Sequence, residues 1–170
     1  NCSFIECSST YGGALAFPQE QKKDSQTITN CVFVGCNAVQ GSCIYSYAYS
    51  FYLDSCDFNG TRKIIEDGNN KAYSIIYLSI GDTDDPIIEN CIFSHSITVF
   101  HTSIDKTLKV KNCLFTDPDL DPLLFVDYME SKEDNFFENC TFQNSFHNPA
   151  IYGKEGSNKH TFLNCTIINN

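Results

Sequence analysis

"ITNCVFVGC", Ile28 to Cys36, runs apolar residue, spacer, Asn, Cys, spacer, Phe, and the chain repeats that order along its whole length. Aligned on its cysteine, the unit reads NCSF at 1–4, NCVF at 30–33, SCDF at 55–58, NCIF at 90–93, NCLF at 112–115, NCTF at 139–142 and NCTI at 164–167. Two residues ahead of the Asn slot stand Ile28, Leu53, Ile88, Val110, Phe137 and Phe162. Successive units start 29, 25, 35, 22, 27 and 25 residues apart. A fixed motif recurring every 20–50 residues or so marks a solenoid, a propeller or an array, in which each unit packs on its neighbours.

Parity narrows the choice. In one straight strand the upstream apolar residue and the Asn would share a face, with Cys and Phe on the other. The conflict disappears if the backbone turns at the Asn slot. Asn suits such a corner because it tolerates positive φ and its amide bonds to nearby backbone. Asn1, Asn30, Asn90, Asn112, Asn139 and Asn164 are therefore corner residues, and stacked amides would hydrogen-bond from coil to coil. Cys2, Cys31, Cys56, Cys91, Cys113, Cys140 and Cys165 would point inward as small buried fillers. Phe4, Phe33, Phe58, Phe93, Phe115 and Phe142 would stack about 4.8 Å apart as the large ones.

A second strand recurs at looser register in GGALAF (12–17), GSCIYS (41–46), YSIIYLS (73–79), SITVFH (96–101), PLLFVDY (122–128) and PAIYG (149–153). The expected fold is all-β, a right-handed parallel β-helix of about seven coils spanning 1–170 as a single domain. A leucine-rich repeat is the rival, but its L-x-x-L-x-L-x-x-[NC] register is absent and Leu is rarer than Phe. The chain opens inside a repeat and without Met, so we expect a segment of a longer protein or end-to-end self-association through open terminal edges.

With 14 Phe, 9 Tyr and no Trp, the composition favours strands. The net charge of −10 argues against a nucleic-acid partner. No stretch of 18 or more apolar residues is present, so no transmembrane segment is expected.

The repeated signature, with GGALAF and the ends FIEC, FVGC, FSHS and FQNS, resembles the parallel β-helix repeats of polymorphic outer-membrane-protein-like adhesins, including those of protists. Only one GGA[LI] occurs, and Asn170 alone keeps the final Asn of the family's FxxN element. The resemblance implies a non-catalytic structural or adhesive rod at a cell surface or in an extracellular assembly, with protein partners or surface glycans. Two alternatives stay open: a carbohydrate-active β-helix enzyme fragment, and an intracellular scaffold of a cytoskeletal assembly.

Site chemistry is sparse, and no catalytic residue or cofactor is expected. Cys7 and Cys36 hold equivalent turns, so a bridge between them is one reading and free thiols, with Cys43, the other. Asp117, Asp119 and Asp121 are spaced like the start of a calcium loop without its Gly and closing Glu; Asp82, Asp84 and Asp85 form another acidic turn. Asn59, in NGT, is the glycosylation candidate, placed in a loop. Arg62 is the only arginine, and His95, His101, His147 and His160 share no slot.

Overall fold

The computed structural model describes residues 1–18, 24–47, 49–60, 62–63, 74–80, 84–96, 100–104, 106–117, 124–125, 134–145, 150–152 and 159–169. Among these the fold is all-β, and every strand pairing is parallel. Parallel neighbours come from successive repeats, an arrangement compatible with a β-solenoid.

The N-C-x-F segments build a seven-stranded sheet in the order β1 (Cys2–Ile5), β5 (Cys31–Val34), β9 (Asp57–Asn59), β13 (Ile92–Ser94), β16 (Leu114–Thr116), β19 (Thr141–Gln143) and β22 (Thr166–Ile168). The upstream apolar segments form a six-stranded sheet of β4 (Ser25–Thr29), β8 (Ser50–Asp54), β12 (Ile87–Glu89), β15 (Lys109–Lys111), β18 (Asn135–Glu138) and β21 (His160–Leu163). The GGALAF-type segments supply β3 (Leu15–Phe17), β7 (Ile44–Ser46), β11 (Ile76–Ile80) and β14 (Phe100–Ile104), then the pair β17 (Leu124–Phe125) and β20 (Ile151–Tyr152). A three-stranded sheet of β2 (Ser8–Tyr11), β6 (Asn37–Gln40) and β10 (Arg62–Lys63) has no counterpart in the expected second strand.

Between the seven- and six-stranded sheets the backbone is left-handed, with φ of 54° at Asn30, Ser55 and Asn90, 52° at Asn112 and Asn164, and 53° at Asn139. At Asn30, Ser55, Asn90, Asn112 and Asn139 the corner N–H still bonds to the next repeat, as in Asn90 N to Lys111 O at 3.0 Å and Asn112 N to Glu138 O at 2.9 Å. The corner costs no hydrogen bond. Asn139 Nδ2 donates to Asn112 Oδ1 at 3.3 Å, and Asn112 Nδ2 to Asn90 Oδ1 at 3.2 Å. At Ser55 the amide run stops, and Asn90 Nδ2 donates to Asp54 Oδ1 at 2.7 Å instead.

A second left-handed corner lies two residues after the ring: Glu6, Gly35, Gly60, His95, Asp117, Asn144 and Asn169 all have φ between 50° and 65°. It has no residue consensus, which is why the sequence does not announce it. The two corners confine each strand of the seven-stranded sheet to three or four residues. The glycines opening GGALAF and GSCIYS have their own steric cause: a Cβ on Gly12 (φ +56°) would sit 2.0 Å from Leu15 O, and one on Gly41 (φ +59°) 2.1 Å from Ile44 O.

Inside, side chains of one kind lie in register. Phe4 stacks on Phe33 with centroids 4.9 Å apart, Phe33 on Phe58 at 4.6 Å, Phe58 on Phe93 at 4.9 Å, Phe93 on Phe115 at 5.1 Å and Phe115 on Phe142 at 4.8 Å, all within 13° of parallel. Ile28, Leu53, Ile88, Val110, Phe137 and Phe162 form the facing column. Cys31, Cys56, Cys91, Cys113 and Cys140 are buried between them.

Cys2 and Cys165 depart from the expected burial: Cys2 is exposed and Cys165 only half-buried. Both lie beside outermost strands, which have a neighbour on one side only. Among the described residues, six of the nine exposed large apolar side chains, Ile5, Tyr11, Phe162, Leu163, Ile167 and Ile168, lie on outermost strands for the same reason.

Candidate functional site

Because the inward positions are taken by packing, recognition chemistry falls to the outward side chains and the corners. The outward column of the seven-stranded sheet reads Ser3, Val32, Asp57, Ile92, Leu114, Thr141 and Thr166. Asp57 is its one charged member. It sits between Val32 and Ile92, themselves 37% and 41% exposed.

An open groove of about 340 Å³ runs over this point, lined by Asn30, Cys31, Val32, Ser55, Cys56, Asp57, Asn90 and Ile92. Asp57 Oδ1 is buried with no hydrogen-bond partner among the described residues. Burial raises the Asp57 carboxyl above its ordinary value, since it deprives the ionised form of hydration without replacing it. Across the corner, the Asp54 carboxylate is held by Ser55 Oγ at 3.0 Å and Asn90 Nδ2 at 2.7 Å. The groove thus offers one carboxyl, two amides, one hydroxyl and two aliphatic walls.

The residues singled out from the sequence are put to structural use or lie outside the described residues. Asp117 stands at a left-handed corner, where Thr116 Oγ1 donates to it at 2.7 Å and Asn144 Nδ2 at 2.9 Å. Asp119 and Asp121 lie outside the described residues, as does Asp82. Among the described residues no group of three or more His, Cys, Asp and Glu is gathered to hold a metal. Asp85 pairs with Lys109 at 2.7 Å and accepts from Thr107 N at 3.2 Å.

Asn59 is not in a loop. It ends β9, paired with Val34 and Ser94, because Gly60 at φ 61° makes the turn after it; its side chain is exposed. Arg62 lies in β10, and its side chain, with those of His101 and His147, falls outside the described residues. His95 occupies a corner. His160 Nδ1 lies 3.4 Å from Asn135 Nδ2, and burial lowers its pKa, so the ring is neutral near pH 7.

All ten cysteines are free thiols. Cys7 and Cys36 are coil-to-coil neighbours, with Asn37 N donating to Cys7 O at 2.9 Å. No bridge joins them. Cys36 is instead in hydrogen-bonding contact with Cys43, which draws its thiol down to about 6 against the opposing effect of burial. Burial pushes Cys43 and Cys7 the other way.

In the main column each Sγ donates to the carbonyl two residues earlier, at 3.3 Å from Cys56 to Asp54 O and 3.2 Å from Cys113 to Lys111 O. Contact with Cys91, then burial, pushes Cys56 up; contacts with Cys140 and Cys91, then burial, do the same to Cys113. Cys91 and Cys140 move down as the partners in those contacts.

Above the ordinary thiol value of 9.0, an unfolded chain gives up protons that folded Cys56 and Cys113 keep. Their contribution is complete below that value and is lost as pH rises past it. Urea midpoints are expected to fall between about pH 9 and about pH 10, and a Cys56→Ala/Cys113→Ala variant to fall less steeply. Identical slopes for the two proteins would refute this account.

Comparison with known proteins returns no match: no family model fits the chain, and no curated protein or solved structure is similar to it. The groove therefore rests on its own chemistry. Sequence reasoning passed over Asp57 because it occupies the variable slot of N-C-x-F. Reading that slot as a column, in which Asp57 is the lone charge, is the signal that would have found it.

Proposed function

We propose that the chain is a right-handed parallel β-helix of about seven coils that acts as a non-catalytic structural or adhesive rod, displayed at a cell surface or in an extracellular assembly. Handedness follows the strong preference of parallel crossover connections. The observation that carries the reading is the unbroken ring column from Phe4 to Phe142, five contacts at 4.6 to 5.1 Å. Each repeat spends its constant residues on the neighbouring repeat and leaves the variable ones outside. That division suits a rigid support presenting side chains and loops. The likeness of the repeat signature to polymorphic outer-membrane-protein-like adhesins points the same way, and the apolar outermost strands are surfaces on which further coils or a second copy would stack.

A carbohydrate-active enzyme is the competing reading, and the Asp57 groove is what favours it. Glycoside hydrolysis needs a pair of carboxyl groups across the bond, and Asp57 is the one carboxyl among the lining residues. Incubating the protein with uronate-containing and neutral polysaccharides, while following new reducing ends and ultraviolet absorbance of unsaturated products, separates the two. Retention on cell or glycan surfaces without turnover is expected. Turnover abolished by Asp57→Asn would replace the rod with the enzyme.

A further inference from the structure

The outward column breaks its own rule at one place. A carboxyl stands between Val32 and Ile92, where a third aliphatic or hydroxyl side chain would suit the neighbours, and one of its oxygens is buried without a partner. A residue that opposes local packing without compensation is the usual mark of a site retained for binding. We propose that the groove over Asp57 is the docking site for an alkylammonium group, the side chain of a lysine on a partner protein.

Three features select that class. The two half-exposed aliphatic walls match a methylene stem, which lysine buries along apolar surface while its ammonium reaches a polar end. The polar end holds acceptors of the kind an ammonium needs: the Asp57 carboxyl, the Ser55 hydroxyl oxygen and the corner amide oxygen of Asn30. The chain carries 21 acidic against 11 basic side chains, so its field draws cations inward. No aromatic ring lines the groove to give a sugar its stacking platform.

Across the corner, Asp54 is engaged by Ser55 and Asn90. A bound ammonium would restore the stabilisation that burial removes from the ionised Asp57, so binding and ionisation are linked: affinity rises as pH rises through the Asp57 titration. The proposal deepens the adhesive reading, on which it rests, by naming the partner's chemistry.

The test is an NMR titration of the full chain with Nα-acetyl-lysine methylamide, using its Nε-acetylated form and a neutral oligosaccharide as controls. Saturable shifts confined to the amides of Val32, Asp57 and Ile92 are expected with the amine, with affinity roughly tenfold weaker in Asp57→Asn. The carboxyl carbon of Asp57 should titrate at lower pH when the amine is present. Asp57→Val should abolish the shifts while raising the thermal midpoint by roughly 2–4 °C. Equal shifts from the acetylated probe or the oligosaccharide, no localised shift, or a lower midpoint for Asp57→Val would each overturn the proposal. Surface retention that survives Asp57→Asn would overturn this site alone and leave the rod standing; retention absent from the unmodified chain would remove the adhesive reading itself.

Discussion

Phe58→Ala is expected to cost at least about 4 kcal/mol, close to the whole stability of many domains of this size. Phe58 is fully buried, and its ring is sandwiched between Phe33 at 4.6 Å and 2° and Phe93 at 4.9 Å and 9°. Removing it forfeits the transfer free energy of a phenyl group, about 3–5 kcal/mol with the cavity left behind. Two stacking contacts, each worth about 0.5–1.5 kcal/mol, go with it. The cavity cannot close, because the sheet spacing is held by backbone hydrogen bonds on both sides. Phe4→Ala should cost distinctly less, since Phe4 is half-buried and has a ring on one side only in this column. Val32→Ala, one residue from the column but pointing outward, should cost under about 1 kcal/mol. Urea denaturation at constant m-value measures all three. Equal losses for Phe58 and Phe4 would contradict a column whose strength comes from neighbours on both sides.

The second large effect is expected at the corner. Asn112 holds φ of 52° and joins two amide contacts, to Asn90 at 3.2 Å and from Asn139 at 3.3 Å. Asn112→Val places a β-branched side chain where left-handed backbone costs about 1–2 kcal/mol, and it removes both contacts at about 0.5–1.5 kcal/mol each. A loss of about 2–5 kcal/mol is expected. Asn112→Gly keeps the backbone freedom and loses the amides alone, so it should recover about half of that loss. Asn112→Gly as damaging as Asn112→Val would mean that the amide contacts, and not the left-handed turn, are what the corner requires.

These two positions show where the sequence was legible. The Asn corner could be read in one repeat, because an Asn between two inward-pointing residues of the wrong parity has few backbone conformations open to it. The ring column could be read from recurrence: six Phe at one slot must meet if the repeats stack in register. The second corner could not. Its residues run from Glu6 through Gly35 to His95, and only the shared φ unites them. The strands Ser8–Tyr11 and Asn37–Gln40 escaped notice because their side chains are mostly polar, leaving no apolar periodicity to count.

What the sequence determined by itself is what each repeat carries whole: a turn at the Asn, a thiol and a ring inward, and therefore parallel strands in stacked layers. Tertiary structure alone decided which side chains of different repeats became neighbours. It left Cys2 exposed while Cys56 is buried, brought Cys43 against Cys36, and set Asp57 between Val32 and Ile92 beneath a groove. Local geometry depends on a residue and its immediate chain neighbours, so it is written in the motif. Burial, thiol contact and groove shape depend on the residues one layer above and below, 25 and 35 positions away in the case of Asp57, and loops of unequal length hide that spacing until the chain is folded.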